Sequence, residues 1–387
     1  MTVETRQLFP DRLRGIALLG IVVVNAPFFG ISAGGYTAAS LEGPLNSAAA
    51  FLVFALAQNK FYLLFSFLFG YSSQFILRTN DKKDRRRFRR RLMALWVLGV
   101  IHATLFFVGD ILITYSIFGA GLLVLNGRSA RTVKISAIVA GCVSVLLAVS
   151  FAAISSSTPM AVANDPTIVA LDAAIQSGSF VDVALARINA LPSVWTFTFL
   201  LQGTMAFGAF CLGLLAARRK LLADPAQVAW GRWAVIGLAV GLPLQIISAI
   251  IGLGGIAAAD PVAASIGILL GYATAPILSL GYLAGMGWLL SRRPGFLAFA
   301  QVPGRVSLST YLSESVLLSL LFCAYGLGRF GHWGAAGVLA ASVAAYLLFE
   351  VGAKLWLDRF SQGPIETLVA KWTGPRQSPA LTNVPST

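Results

Sequence analysis

Apolar runs of about 20 residues recur along most of this 387-residue chain and constrain its fold more than any other feature. A helix of that length crosses the roughly 30 Å hydrocarbon layer of a bilayer. Only 11% of the residues are charged, against about a quarter in soluble proteins, so the chain has too few charges to cover a water-soluble globule. The runs lack the alternation of barrel strands. The sequence therefore predicts an all-α, polytopic membrane protein in contact with the lipid bilayer.

The apolar runs predict about ten membrane-spanning helices within one transmembrane domain that covers residues 1–374. The predicted spans are 13–31, 60–78, 91–109, 111–126, 133–154, 194–217, 233–257, 264–290, 306–327 and 334–356. Residues 45–57 are also apolar, but the polar AQNK segment at their end predicts a separate interfacial or re-entrant helix before the second span. We also expect an outer loop over 155–193, with room for a short helix, and a disordered tail over 375–387.

Basic residues predict the orientation of these spans. Most of the 29 lysines and arginines fall in short loops on one side, most densely in 78–91, and only Lys60, Arg187 and Arg329 fall on the other. By the positive-inside rule, the basic side and both termini are expected in the cytoplasm, with an uncleaved signal anchor at the N-terminus. Topology and anionic lipid then explain the net charge of +14. The alternative is a docking surface for an anionic cytosolic group such as a coenzyme A phosphate, and nucleic-acid binding is not expected.

The cysteines and histidines predict neither a disulfide framework nor a metal site. All three cysteines lie inside predicted spans, where a thiol is a small core residue. The two histidines are far apart in the chain and make no zinc-ligand spacing. We expect no bound cofactor.

Four polar side chains are predicted to reach the middle of the membrane. Asn25 lies about 16 Å beyond Arg14 on nearly the same helix face, and His102 lies about 16 Å beyond the basic loop. Glu314 lies about 13 Å from the inner end of its span, and Gln202 reaches a similar depth from the outer side. Ionisable groups at this depth cost roughly 2.5–3.5 kcal/mol, so they usually face a bundle interior or a wet cavity. The alternative is that these residues only hydrogen-bond neighbouring helices.

Asp110 and Lys60 are predicted to lie near the outer surface. Asp110 is about 12 Å from His102 along a continuous helix, which is too far for direct contact. Gly109 and Asp110 instead predict a tight outer turn, with Asp110 capping the next span. Lys60 would pair with Asp110 and line an outer vestibule, and Arg14 would combine a role in topology with anion binding at the inner mouth.

Five blocks of sequence resemble the YeiB-like family of bacterial inner-membrane proteins, whose members have no well-defined activity. The blocks are RLRGIALLGIVVVN (12–25), KFYLLFSFLFGY (60–71), LGVIHATLFFVGDILITY (98–115), GRVSLSTYLSESVL (304–317) and FSQGPIETLVAKWTG (360–374). The resemblance covers nearly the whole chain and implies a bacterial plasma-membrane location. Thr310 and Glu314 stand where the family tends to have Asn and Gln.

The first block is also similar to the start of transmembrane acyltransferases. This group includes sugar O-acetylating enzymes, which are expected to have histidine where Asn25 stands, and the lysosomal heparan-glucosaminide acetyltransferase, which resembles this chain in having Asn. The similarity implies transfer of an acyl group from cytosolic acyl-CoA to an acceptor at the outer face. His102 would act as general base or acyl carrier, Asn25 would bind the imidazole or oxyanion, and Glu314 would orient His102. Substrate-binding roles are expected for Arg14, Lys60, Asp110, Gln202 and Tyr311.

The same residues are compatible with a different class of protein, a proton-coupled transporter of small solutes. Glu314 and His102 would then form a proton relay. The glycine-rich segments 237–255 and 267–287 would permit close helix packing or movement. A non-catalytic structural or regulatory membrane protein is the third alternative.

Overall fold

All regular structure in the described part of the chain is helical. The computed structural model describes residues 8–79, 81–157, 165–223 and 228–374. The α-helices are α1 (Leu8–Gly30), α2 (Pro44–Leu52), α3 (Phe61–Ser73), α4 (Lys82–Leu105), α5 (Leu112–Leu125), α6 (Ala130–Ser157), α7 (Pro166–Ser177), α8 (Phe180–Phe197), α9 (Thr204–Arg218), α10 (Trp230–Ala257), α11 (Pro261–Arg292), α12 (Gln301–Arg305), α13 (Ser307–Phe322), α14 (Ala335–Leu357) and α15 (Pro364–Thr373). The all-α prediction is confirmed, and the predicted tail over 375–387 lies outside the described residues.

Among the described residues, seven helical segments are long and apolar enough to cross a membrane. They are Leu8–Gly30, Pro44–Ser73, Ala130–Ala153, Thr198–Arg218, Trp230–Ala257, Pro261–Arg292 and Ala335–Leu357. Their outward faces carry many exposed aliphatic side chains, as expected where lipid is the solvent. By length and composition, the chain is a multi-pass membrane protein.

The second of these segments is interrupted. Helix α2 continues into a π-helical turn, Val53–Ala57, and α3 begins at Phe61 after a break at Asn59, whose φ of 66° is left-handed. Asparagine tolerates this conformation better than most residues. The predicted break at AQNK is therefore confirmed, and the interfacial or re-entrant placement of residues 45–57 stays a prediction.

Close helix packing depends on glycine at the contacts of α10 and α11. A Cβ built on Gly267 would lie 2.1 Å from the backbone nitrogen of Gly252, and one on Gly237 would lie 2.5 Å from the backbone of Gly281. No side chain fits between two backbones at that separation. The glycine-rich segments thus pack directly against each other, in agreement with the close helix packing that was one of their two predicted roles.

The outer loop contains a helical hairpin made of α7 and α8. Asp165 caps α7 by accepting from the Thr167 amide, and a reciprocal capping box between Ser179 and Asp182 starts α8. The apolar face of α7 packs on the turns after α1 and α13. Asp172 accepts from the Ser32 hydroxyl and the Ala33 amide at 2.6 and 2.7 Å, and burial raises the pKa of this carboxyl.

The N-terminus of helix α13 is capped by a carboxylate from another part of the chain. Glu366 of α15 accepts from the backbone amides of Leu308 and Ser309 at 2.8 and 3.1 Å. A negative charge at a helix N-terminus satisfies free amides and favours the dipole. This contact fixes the helix that carries Tyr311 and Glu314.

Candidate functional site

The turn between α4 and α5 forms the chemical centre of the site. Helix α4 ends at Leu105, where the amides of Phe106 and Phe107 both donate to the carbonyl of His102 and close the last turn. The chain then reverses and brings Asp110 back to His102, with 2.7 Å between Nδ1 and Oδ2. Both side chains are buried. The prediction that Asp110 is too far from His102 is wrong, because it assumed that the helix continues through residue 109.

Two further groups bind the Asp110 carboxylate, and a glycine leaves space for it. The Ile113 amide in the first turn of α5 donates to Oδ1 at 3.1 Å, so the predicted capping role is confirmed. The Tyr311 hydroxyl donates to Oδ2 at 3.4 Å. Gly99 on α4 leaves space for the carboxylate, since a Cβ at this position would lie 2.7 Å from Oδ1 of Asp110. The carboxylate is thus fixed by α4, α5 and α13 together.

His102 is oriented with one ring nitrogen bound and the other free. A carboxylate only accepts hydrogen bonds, so Nδ1 carries the proton that binds Asp110. The rings of Tyr311 and Phe107 pack against the imidazole, with centroids 5.0 and 6.2 Å away. Nε2 is buried and has no hydrogen-bond partner among the described residues. A neutral imidazole held in this way presents its basic lone pair at Nε2, which suits general-base or nucleophilic chemistry.

Glu314 lies one turn beyond Tyr311 on α13 and is also buried. Its Oε1 atom makes no hydrogen bond to any described residue. The predicted role of Glu314 in orienting His102 is wrong, because Asp110 occupies that position. Glu314 is instead a separate buried carboxyl on the same helix as Tyr311.

Lys60 lies deep in the bundle rather than at the outer surface. Its side chain is fully buried, and Nζ donates to the carbonyl of Phe54, at 2.9 Å, in the π-helical turn. Its own carbonyl accepts from Ser279, which lies near the middle of the 32-residue helix α11. The predicted vestibule pair with Asp110 is wrong: Lys60 caps the carbonyl end of the first half-segment instead.

None of the other predicted site residues forms a hydrogen bond with the His102 ring. Asn25 is half-buried on α1, and Gln202 is half-buried in the π-helical segment Thr198–Gly203. Neither side chain forms a hydrogen bond with a described residue. Arg14 binds the carboxylate of Asp11 at 2.8 Å, and 22% of its side chain is exposed. The structure therefore brings together His102, Asp110 and Tyr311. Glu314 follows Tyr311 by three residues on the same helix.

Arg187 of α8 is a buried cation for which only a role in topology was predicted. Its guanidinium donates to the carbonyl of Leu105 at the end of α4, and to the Ser319 hydroxyl of α13 at 3.1 Å. No described carboxylate pairs with it. A cation at a helix C-terminus is favourable, so Arg187 ties α4 to α13 just beyond the site. The only sequence signal was an arginine in an otherwise acidic outer loop.

No group of three or more His, Cys, Asp or Glu residues in the described part of the chain is placed to hold a metal ion. The polar centre is instead an isolated pair, His102 and Asp110, with aromatic and aliphatic neighbours. Together, the helices and this centre define the class: a multi-pass membrane protein with a buried imidazole–carboxylate pair.

Comparisons with known proteins find a partial family match and three relatives of nearly full length. Residues 216–376 match the family described as "Protein of unknown function (DUF418)". The uncharacterized protein YxaH of Bacillus subtilis (strain 168) is 29% identical to the chain, over 92% of each protein. The uncharacterized protein YeiB of Escherichia coli (strain K12) is 27% identical, over 97% of this chain and 98% of that protein. An uncharacterized 39.9 kDa protein of Bacillus acidopullulyticus is 28% identical, over 96% and 94%.

Residues 216–376 are therefore similar to the DUF418 family, and the predicted resemblance to YeiB-like proteins is confirmed. The family region covers Tyr311 and Glu314, whereas His102 and Asp110 lie before it, within the long alignments to the relatives. No solved structure matches the chain.

Proposed function

We propose that this protein is a membrane acyltransferase that moves an acyl group from cytosolic acyl-CoA to an acceptor at the outer face. The observation that carries the proposal is the buried His102–Asp110 pair, at 2.7 Å, with Nε2 of His102 unbound. A carboxylate that binds Nδ1 fixes the tautomer and the ring orientation that a general base needs. The family description supplies no activity, so the proposal rests on this geometry and on the similarity of the first block to transmembrane acyltransferases.

The proposed topology has about ten spans, with both termini in the cytoplasm of a bacterial inner membrane. The seven long segments are joined by two shorter apolar helices, α5 and α13, and by the apolar second half of α4. The deep position of Lys60 supports this topology, because it removes one of the three basic residues assigned to the outer side. The basic segment over 78–91, predicted as a loop, mostly forms the first half of α4 and then lies on the acyl-CoA side.

The proposed reaction is a direct acyl transfer. Nε2 of His102 takes the proton of an acceptor hydroxyl or amine while the acceptor atom attacks the thioester carbonyl. The carbon–sulfur bond breaks, and the leaving thiolate takes the proton back from the imidazolium. Asp110 stabilises the imidazolium in between without taking a proton itself. The Asn25 amide would bind the oxyanion, and the exposed part of Arg14 would bind phosphate at the inner mouth.

A proton-coupled carrier is the second candidate, and Glu314 is the observation that favours it. A buried carboxyl with one oxygen unbound, on an apolar helix, is typical of proton and ion pathways. The broken segment around Lys60 is a further carrier-like feature, since transporters use interrupted helices near the midplane.

Reconstituted protein tests both candidates. Proteoliposomes receive acetyl-CoA carrying a radioactive acyl group, a panel of sugar and amine acceptors on the outer side, and a parallel assay for free thiol. We expect label transfer that is lost in His102→Gln and kept in His332→Gln, the matched change at the other, exposed histidine. A thermal melt of each variant checks folding.

Two results would count against acyl transfer. Full transfer by His102→Gln would remove His102 from the chemistry. Proton-coupled uptake without thiol release, lost in Glu314→Gln, would instead identify a carrier.

A further inference from the structure

A lipid-facing groove of about 820 Å³ opens between the halves of α13 and α14 that adjoin the 323–334 loop. Leu317 and Leu321 of α13 form one wall, and small residues of α14, among them Gly337 and Ala344, form the other. Its walls are therefore almost wholly apolar.

One end of the groove is polar. His332 lines that end, and Trp333 beside it packs edge-on against Phe322 with centroids 5.7 Å apart. Arg329 belongs to the same rim, because its amide donates to the carbonyl of Leu321 and its carbonyl accepts from the His332 amide. Both Arg329 and His332 are exposed, and neither forms an ion pair with a described residue. A tryptophan beside cationic groups is typical of the level of lipid headgroups.

The groove is longer than the hydrocarbon part of one leaflet is thick, so an acyl chain fits along it. From Gly334 at the rim to Leu348 at the far end, it follows α14 for about 20 Å. Half of the hydrocarbon layer of a bilayer measures about 15 Å. A single acyl chain whose headgroup lies at the rim would therefore fill the groove along its length.

We propose that this groove binds one acyl chain of an anionic phospholipid, with its phosphate at Arg329 and His332. A second copy of the chain fits less well. Two copies with the same orientation in a membrane are related by an axis along its normal, so residues at equal depth face each other. The two Arg329 side chains would then approach and repel. A lipid phosphate complements the same charge. The site is independent of the acyltransferase proposal.

Native mass spectrometry of the full chain in a neutral detergent tests the assignment. Phosphatidylglycerol and phosphatidylcholine with identical acyl chains are added in separate titrations. We expect one phosphatidylglycerol to bind about fivefold more tightly than phosphatidylcholine, the effect of one basic residue near a headgroup. The double variant Arg329→Gln, His332→Gln should lose this preference and bind both lipids equally.

A second pair of variants tests the groove itself. Ala344→Trp places a large ring in the groove and should abolish the bound lipid. Leu355→Trp, on the same helix beyond the groove and 63% exposed, should leave lipid binding unchanged. Equal binding of the two lipids by the unaltered chain would overturn the headgroup assignment. A dimer that dissociates on Ala344→Trp would overturn lipid as the occupant.

Discussion

Replacement of Asp110 by asparagine should move the proton of His102 from Nδ1 to Nε2. The aspartate offers two accepting oxygens, one to Nδ1 of His102 at 2.7 Å and one to the Ile113 amide at 3.1 Å. Asparagine has one accepting oxygen and one NH₂ donor. If its NH₂ faced the Ile113 amide, two buried donors would oppose each other, at a cost of about 1–3 kcal/mol. The backbone amide of Ile113 can only donate, whereas the imidazole proton can move from Nδ1 to Nε2. The NH₂ of the asparagine should therefore donate to an unprotonated Nδ1.

The expected magnitudes follow from these contacts. A hydrogen bond to a charged group contributes about 1.5–3 kcal/mol and a neutral one about 1 kcal/mol, so the free energy of unfolding should fall by about 1–2 kcal/mol. General-base catalysis by Nε2 should be lost, which lowers the rate of acyl transfer by roughly 10²–10⁴-fold. The variant would thus remain folded while its base is blocked.

Nitrogen NMR of histidine-labelled protein measures the tautomer directly. The chain has only two histidines, and the exposed His332 can be changed to glutamine to leave one signal. We expect a protonated Nδ1 with Asp110 present and a protonated Nε2 in Asp110→Asn. A proton that stays on Nδ1 in the variant would refute the reasoning, because it would mean that Asp110 does not set the tautomer.

Three further predictions concern the surroundings of the site. Gly99→Ala should lower thermal stability by about 1–3 kcal/mol, since its Cβ would lie 2.7 Å from a carboxylate oxygen. At Gly285 a Cβ would meet no atom of another element within 4 Å, so Gly285→Ala should not lower thermal stability. Equal melting temperatures for the two variants would contradict the predicted clash at Gly99. Arg187→Met should leave the Leu105 carbonyl without this donor and speed hydrogen exchange of the amides in the last turn of α4. Unchanged exchange would show that the guanidinium does not stabilise this turn. The raised pKa of Asp172 means that the folded state keeps this proton to higher pH than the unfolded state, so stability should fall as pH rises from the ordinary aspartate range through the raised pKa. Asp172→Asn should flatten that slope in acidic thermal melts, and an unchanged slope would assign it to other groups.

The positions of the long helices could be predicted from the sequence because lipid imposes a simple rule on length and polarity. The predicted spans 233–257 and 264–290 lie within α10 and α11. Apolar runs of this kind need no knowledge of tertiary contacts. Capping signals in the outer loop, such as Ser179 followed by Asp182, were equally local but lay in a segment assigned only one short helix.

The centre of the site could be predicted only in part. His102 and Glu314 were predicted from their depth, Asp110 at an outer turn and Tyr311 as a substrate-binding residue, but the partner of His102 depends on where α4 ends. That end is set by the chain reversal after Leu105 and by the space at Gly99, both of which are tertiary features. A glycine one turn before His102 and another beside Asp110 were the signals available.

The depth of Lys60 has a consequence for biosynthesis. The segment Pro44–Ser73 must enter the bilayer before α11, and therefore Ser279, has been synthesised. A lysine in the hydrocarbon core opposes insertion by roughly 2.5–3.5 kcal/mol. The Phe54 carbonyl that binds its ammonium group is only six residues earlier in the chain, so this contact can form within the nascent segment. The π-helical turn thus gives the lysine a partner that emerges from the ribosome before it, and insertion of this segment need not wait for the rest of the bundle.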